Sequence, residues 1–117
     1  MSEKILSKET ILQTLNSYDF DIGKCVDYFI EELGFDGAVV FRDKPGFHLD
    51  YNFHKVDNYL YMLEGELISE IVWELKILKK WDFFIFPKWH IHDFRPSKLG
   101  AKYIVATENG DFETIFI

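Results

Sequence analysis

The sequence has little cysteine and little positive charge. Cys25 is the single cysteine, so the chain cannot form an internal disulfide framework or a zinc site built from cysteines alone. Lysine and arginine number 13 against 20 acidic residues, which gives a formal net charge of −7. Phosphate backbones and anionic membranes bind clusters of positive charge, and this chain has no basic run. We therefore predict no nucleic-acid partner and no membrane partner.

Long apolar runs and catalytic sequence motifs are also missing. No segment approaches the length of a membrane-spanning helix, and the N-terminal stretch MSEKILSKET lacks the basic and apolar regions of a signal peptide. The sequence contains no glycine-rich phosphate loop, no serine nucleophile elbow and no zinc-finger cysteine pattern. These absences predict a soluble, cytoplasmic protein.

Aromatic residues are what the chain has in excess. Phe, Tyr and Trp make up 18% of its 117 residues, and apolar residues as a whole make up 48%. A chain of this length supports one hydrophobic core, so we expect a single domain over residues 1–117. Because aromatic side chains pack well on a pleated surface, the composition favours a mainly β fold.

The N-terminal segment, residues 1–34, predicts two helices. Ser7 can cap the first helix and Asp21 the second, and Gly34 fits the end of the second. Both helices carry apolar residues at helical spacing: Ile11, Leu12 and Leu15 in the first, and Val26, Phe29, Ile30 and Leu33 in the second. We expect these stripes to be packing faces and Cys25 to be a small buried residue beside one of them.

From residue 37 to residue 117 the apolar pattern changes to a period of two. Eight short segments are rich in β-branched and aromatic residues: AVVFR, FHLDYNF, NYLYML, ELISEIV, ELKILK, DFFIF, AKYIVAT and DFETIFI. Turn residues separate several of them, including Glu64-Gly65, Pro96 to Gly100 and the hairpin dipeptide Asn109-Gly110. Many short strands without intervening helices predict a closed barrel or a jelly-roll sandwich. The apolar end of the chain needs pairing, so we expect it in the sheet or in a dimer interface.

The segment NYLYMLEGEL (58–67) resembles part of the first conserved motif of the cupin superfamily. That motif is two histidines separated by one residue, then a glutamate and finally a glycine. With Gly65 in the glycine position, the histidine positions fall on Asn52 and His54, and the glutamate position falls on Asn58.

The segment WDFFIFPKWHIH (81–92) resembles the second motif of the same superfamily, a glycine followed by a proline and a histidine. Trp81 takes the glycine position, Pro87 the proline position and His92 the histidine position. The resemblance covers roughly residues 37–117. It implies a double-stranded β-helix, or jelly-roll, barrel that follows two N-terminal helices, and a homodimer.

The resemblance also implies a site inside the barrel, where family members that hold a metal use three histidines and a glutamate. Here asparagines take two of those four positions, and an asparagine amide is a poor ligand for a divalent transition metal. A site for iron, zinc, manganese or nickel would therefore need further ligands from neighbouring residues. The candidate metal ligands are His54, His90, His92 and Asp57, with Asp50 and His48 as alternatives in another strand register.

A site without a metal is the other interpretation of these positions. Residues two apart in a strand share a face, so histidines and amides from two strands can converge in one barrel mouth lined by aromatic rings. The candidate ligand-binding residues are Asn52, His54, Asn58, Tyr61, Trp89 and His92. These positions also have a purely structural interpretation. In it, His90 lies in a solvent-exposed turn, the asparagine amides bond to nearby groups and the aromatic rings belong to the core.

Two functions follow from these positions. The first is a binding module that holds a small molecule in an aromatic-lined cavity without needing a metal. The second is an enzyme in which His54 and His92 are the candidate catalytic residues. The family resemblance implies a dioxygenase, which uses a metal, or a sugar isomerase or epimerase, some of which work through histidine alone.

Overall fold

The computed structural model of the protein describes residues 7–117. Within these residues, two helices and a π-helical turn precede seven strands, which confirms the predicted mainly β fold with two N-terminal helices. The elements are α1 (Lys8–Ser17), α2 (Ile22–Asp27), the π-helical turn (Tyr28–Glu32), β1 (Gly37–Asp43), β2 (Leu49–Phe53), β3 (Asn58–Ile71), β4 (Glu74–Lys79), β5 (Phe83–Phe86), β6 (His92–Thr107) and β7 (Ile115–Phe116).

Both helices begin where the sequence predicts, whereas α2 ends at Asp27 and continues as the π-helical turn to Glu32. The Ser7 hydroxyl oxygen accepts a hydrogen bond from the Thr10 amide, and the Asp21 carboxylate accepts one from the Lys24 amide, so both predicted caps are confirmed. Gly34 follows the π-helical turn with φ +74°, a conformation that suits glycine at a helix end. Among residues 7–117, none of the helices has the length and apolar character required to cross a membrane.

Two long strands, β3 and β6, run antiparallel to each other and belong to both layers of the fold. Sheet I contains β1, the second half of β6, the first half of β3 and β5. Sheet II contains β4, the second half of β3, the first half of β6, and then β2 and β7. The two sheets therefore share their central strands, and each turns one face towards the other.

Two predicted turns are wrong, because the chain bends there without leaving the sheet. Glu64-Gly65 lies inside β3, so two of the eight expected segments form one strand and seven strands result. Pro96 to Gly100 lies inside β6, which begins earlier than the expected segment AKYIVAT. Gly65 and Gly100 both have positive φ, +71° and +75°, and the β3–β6 register shifts beside Gly65. The turn at Asn109-Gly110 is present, but it does not form a hairpin, because the strand that follows it pairs with β2.

Alternation along β3 separates two hydrophobic clusters. Leu60 and Met62 belong to a cluster between the sheets, and Tyr61 and Leu63 belong to a cluster that packs under the helices. Cys25 is fully buried in the helix-side cluster, as predicted, and burial raises the pKa of its thiol to about 11. The thiol is therefore protonated at neutral pH and serves as packing.

The chain end lies in sheet II, one of its two expected locations. Ile115 pairs with Phe53 and Phe116 with Asn52, and this places the end of the chain on the outer edge of β2. Dimerisation remains a prediction from the family resemblance.

Trp81, which takes the glycine position of the second motif, has a left-handed backbone conformation. Its φ is +81°, and its ring lies against Phe20 with ring centroids 4.0 Å apart. A left-handed conformation costs a residue with a Cβ roughly 1–2 kcal/mol. The contact with Phe20 is a packing interaction that acts against this cost.

Replacing Gly65 by alanine should be strongly destabilising. A Cβ at Gly65 would lie 2.8 Å from the carbonyl carbon of Gly100 and closer still to its oxygen, which belongs to backbone and cannot rotate away. Gly46→Ala is the matched control, because Gly46 also has positive φ, +93°, but has no atom within 4 Å of the added Cβ. In urea unfolding we expect Gly46→Ala to cost about 1 kcal/mol and Gly65→Ala at least about 2 kcal/mol more. Equal losses in the two variants would mean that β3 and β6 do not depend on this contact.

Candidate functional site

A cavity of about 200 Å³ opens between the two sheets. Most of its wall is aromatic or aliphatic: Phe41, Phe47, Leu49, Leu60, Phe86, Phe94, Tyr103, Val105 and Phe112. Its polar lining residues are Asp43, His54, Asn58, His92 and Thr114. Three of the predicted site residues, His54, Asn58 and His92, therefore meet in this cavity.

His92 begins β6 and is 1% exposed. Its Nδ1 lies 3.1 Å from the carbonyl oxygen of His90, and since a carbonyl only accepts, Nδ1 carries the proton. The lone pair on Nε2 is buried and has no partner among the described residues. Burial lowers the pKa of His92 to about 4, so the ring is neutral at pH 7 and Nε2 is a hydrogen-bond acceptor.

His54 follows β2 and lies beside His92, with ring centroids 5.1 Å apart. Its Nδ1 lies 2.9 Å from the carbonyl oxygen of Glu113, so the neutral ring also carries its proton on Nδ1. The two imidazoles thus share one tautomer, because each is held by a backbone carbonyl. In this tautomer Nε2 of both rings is an acceptor.

The two asparagines in the motif positions are held in the same way. Asn52 is fully buried, and its Nδ2 donates to the carbonyl oxygens of Asp50 at 2.7 Å and His92 at 3.3 Å. Its Oδ1 is buried without a partner among the described residues. The Nδ2 of Asn58 donates to the carbonyl oxygen of Val56 at 3.0 Å. In both side chains the amide nitrogen donates to backbone carbonyls, and the amide oxygen remains as an acceptor.

Asp43 and Tyr103 form the remaining polar pair in the cavity wall. The Tyr103 hydroxyl donates to the Asp43 carboxylate at 2.6 Å. Burial raises the pKa of Asp43, and the bond from Tyr103 opposes that rise. Burial and the same bond raise the pKa of Tyr103, so its hydroxyl stays protonated. No lysine or arginine of residues 7–117 lines the cavity, and an anion would find no positive charge there.

Three predicted ligand-binding residues, Asn52, Tyr61 and Trp89, are not among the residues that line the cavity. Tyr61 is on the opposite face of β3 from Leu60, and its hydroxyl donates to Asn16 under the helices at 2.7 Å. Asn58 and Tyr61 are three residues apart, so one strand cannot turn both to the same side. Trp89 lies in the loop before β6, and its ring is on the outer surface against Phe53.

The predicted metal ligands His90 and Asp57 do not join His54 and His92 in the cavity. His90 is exposed in the loop before β6, and Asp57 accepts a hydrogen bond from the Lys88 amide at 2.8 Å. The alternative ligand His48 is also engaged elsewhere, because its Nε2 lies 3.0 Å from the buried Asp93 carboxylate. These residues precede strands or lie in loops, where period-two alternation no longer determines side-chain direction.

The sequence interpretation missed several residues of the cavity wall. Tyr103 and Val105 alternate along β6, and Phe41 and Asp43 along β1, so the period-two pattern could have indicated them. Phe112 and Thr114 lie in the irregular segment between β6 and β7. No periodicity marks that segment, and only the path of the chain brings it over the cavity.

Solved structures of oxalate decarboxylase superpose on this chain. One, which concerns the Mn(II) centers of the Bacillus subtilis enzyme, matches at 26% sequence identity with a TM-score of 0.62. A variant of the same enzyme matches at 25% identity with a TM-score of 0.63. Each match covers 68% of this chain and 23% of that chain. No protein-family model and no curated protein matches the sequence.

Two antiparallel sheets that share two long strands and enclose a cavity define a double-stranded β-helix barrel. Oxalate decarboxylase has the cupin fold. The chain belongs to the cupin superfamily. The match covers only 23% of the length of that enzyme. The comparison therefore concerns the fold and the superfamily and does not extend to the activity of the enzyme.

The donor set of the cavity does not fit a resident divalent metal such as Mn(II). Both imidazoles present Nε2, the orientation that a metal-binding histidine needs. The other two motif positions supply only neutral amide oxygens, from Asn52 and Asn58. Among residues 7–117, no group of three or more His, Cys, Asp or Glu side chains is placed to hold a metal. Mn(II) is a hard cation that prefers carboxylate oxygens, and the one carboxylate in the cavity lining, Asp43, is not grouped with the two histidines.

The low pKa of His92 predicts a loss of stability in mild acid. The unfolded chain takes up a proton on this residue below its ordinary pKa of 6.5, and the folded chain does so only near pH 4. The free energy of unfolding should therefore fall from pH 6.5 to pH 4, by up to about 3 kcal/mol. Urea unfolding of the wild type, His92→Gln and the exposed control His90→Gln across this range measures the effect.

We expect the curves of the wild type and His90→Gln to run parallel and His92→Gln to be flatter between pH 6.5 and pH 4. A His92→Gln curve as steep as the wild type would show that another group causes the loss.

Proposed function

We propose that the barrel binds a small uncharged molecule that carries an apolar body and a hydroxyl or N–H donor. One observation carries the proposal: His92, whose buried Nε2 has no partner among the described residues, lines a mainly apolar cavity. A buried acceptor without a partner costs about 1–3 kcal/mol. A ligand that donates to Nε2 removes that cost and at the same time fills the apolar space.

The size of the cavity indicates a ligand of about one aromatic ring. Its volume is about 200 Å³. An apolar cavity of about 150 Å³ in another protein holds benzene, so the available space suits a single ring with a small polar substituent. Phe86 and Phe94 both pack against His92, with ring centroids 4.9 Å and 5.2 Å from the imidazole and 5.0 Å from each other. They would contact the body of a ligand whose donor reaches Nε2.

The charge of the cavity argues against an anionic ligand. Its polar groups are mainly acceptors, Asp43 adds a carboxylate, and no cation of the described chain lies in its wall. Desolvating an anion here would bring no compensating ion pair. A carboxylate ligand would therefore bind more weakly than an uncharged molecule of the same shape.

Binding has more support than catalysis. A general base works best with a pKa near the working pH, and His92 at about 4 is a weak base at pH 7. A dioxygenase would need a metal, and the asparagines at positions 52 and 58 bring no negative charge to a metal site. The position and the low pKa of His92 suit a fixed acceptor better than a proton carrier.

Phenol and fluorobenzene test the proposed donor. They have similar size, but only phenol donates a hydrogen bond. In calorimetric titrations at pH 7 we expect phenol to bind about tenfold more tightly than fluorobenzene. His92→Phe should remove this preference, because it replaces the acceptor by an apolar ring of similar volume. His90→Phe, in the exposed loop, should keep it. Equal affinities of the wild type for the two compounds, or a preference that survives His92→Phe, would overturn the proposal.

Metal content tests whether binding depends on a metal. We expect mass spectrometry of the untagged protein to find iron, zinc, manganese and nickel well below one per chain, and phenol binding to persist in excess chelator. His54→Ala and His92→Ala are the matched variants, since they remove the two imidazoles in turn. A near-stoichiometric metal that both variants lose would contradict metal-free binding and favour the enzyme interpretation.

A further inference from the structure

A second concave surface, here called the Trp groove, lies outside the barrel, between the β3–β4 turn and the loop before β6. Val72, Trp73, Trp89 and Ile91 form its apolar walls, and Tyr51, Glu70 and His90 form its polar side. Its volume is about 220 Å³. None of these residues lines the cavity between the sheets, so the groove is a separate site.

The two tryptophans of the groove are exposed, but hydrogen bonds hold the backbone segments that carry them. Trp73 is 79% exposed and Trp89 is 57% exposed, and each has φ +69°. This left-handed conformation is strained for a residue with a Cβ, and such strain persists only where neighbouring structure enforces it. Here the Val72 amide donates to the Ile91 carbonyl at 3.0 Å, and the Trp89 amide donates to the His54 carbonyl at 2.8 Å. The rings are therefore presented by fixed backbone, which lowers the entropy cost of binding.

Glu70 brings a negative charge to the same groove. The Tyr51 hydroxyl donates to its Oε1 at 2.8 Å, and its own amide donates to the Asp93 carboxylate at 2.8 Å. The positive charge of Arg95 lowers the pKa of Tyr51, against the net rise caused by Glu70 and burial. Arg95 is not within ion-pair distance of Glu70. No ion pair in residues 7–117 includes Glu70, so its carboxylate is available to a cation from solution.

We propose that the Trp groove binds the ammonium group of a small organic cation. Aromatic faces attract cations through the quadrupole of the ring, most strongly for tryptophan, and a carboxylate beside them adds direct charge attraction. The protein as a whole carries a formal charge of −7, which raises the local concentration of cations. A metal ion would find a single carboxylate here, whereas an organic cation also contacts the rings.

Choline and 3,3-dimethyl-1-butanol separate charge from shape, because the second is the uncharged carbon analogue of the first. The indole N–H signals of the three tryptophans report binding in ¹H–¹⁵N NMR spectra at pH 8, where an ordinary imidazole is neutral. We expect choline to shift the signals of Trp73 and Trp89 with a Kd in the millimolar range and the analogue to bind about tenfold more weakly. Trp81, packed on Phe20 outside the groove, is the internal reference.

The variants are chosen to preserve the fold. Trp73→Asn and Trp89→Asn remove one ring each, and asparagine tolerates positive φ. Glu70→Gln removes the charge and keeps an oxygen for Tyr51, while Glu66→Gln removes one charge elsewhere on β3. We expect each tryptophan variant to weaken choline binding at least about threefold and Glu70→Gln to remove most of the preference over the analogue. Glu66→Gln should bind like the wild type.

Three results would overturn the proposal. They are equal binding of choline and its uncharged analogue, equal shifts of all three indole signals, and unchanged choline affinity in Glu70→Gln. His92→Phe lies outside the groove and should leave choline binding unchanged. The outcome is therefore independent of the proposal for the cavity between the sheets.

Discussion

The close approach of Gly65 to Gly100 is the contact on which the barrel depends. Both residues have positive φ, and a side-chain atom at Gly65 would overlap the Gly100 carbonyl. Without side chains at this point, β3 and β6 can bend together and pass from sheet I into sheet II while they remain paired. The two sheets then enclose a space between them, and residues on alternate positions of each long strand line it.

The side chains at the four motif positions follow one pattern. His54, His92, Asn52 and Asn58 each donate a hydrogen bond to a backbone carbonyl, so the atoms they leave free are acceptors. The cupin superfamily places metal ligands at these positions, but two neutral amides cannot supply the negative charge that a hard divalent cation requires. Burial among phenylalanines lowers the pKa of His92 and keeps its ring neutral. The free ring nitrogen of His92 therefore remains a hydrogen-bond acceptor.

On the outer surface, the β3–β4 turn and the loop before β6 form the Trp groove, which is separate from the cavity between the sheets. The strands fix the positions of the β3–β4 turn and of the loop before β6, and backbone hydrogen bonds join those segments to neighbouring elements. Trp73 and Trp89 project from these segments at strained backbone angles, beside the carboxylate of Glu70. Rigid loops on a stable sheet can hold such strain, since the cost is met by the packing of the whole domain.

The sequence by itself determined the helix caps, the mainly β fold and the motif positions, because caps and strand alternation are local effects of neighbouring residues. It indicated His54, Asn58 and His92, which do meet in the cavity. Only the tertiary structure decided that Gly65 bends a strand instead of ending it and that Tyr61 faces the helices. It also decided that Phe112 and Thr114 cover the cavity and that His90 and Asp57 lie away from it. These outcomes depend on which strands pair and where the chain crosses between sheets, and such long-range contacts leave no local pattern in the sequence.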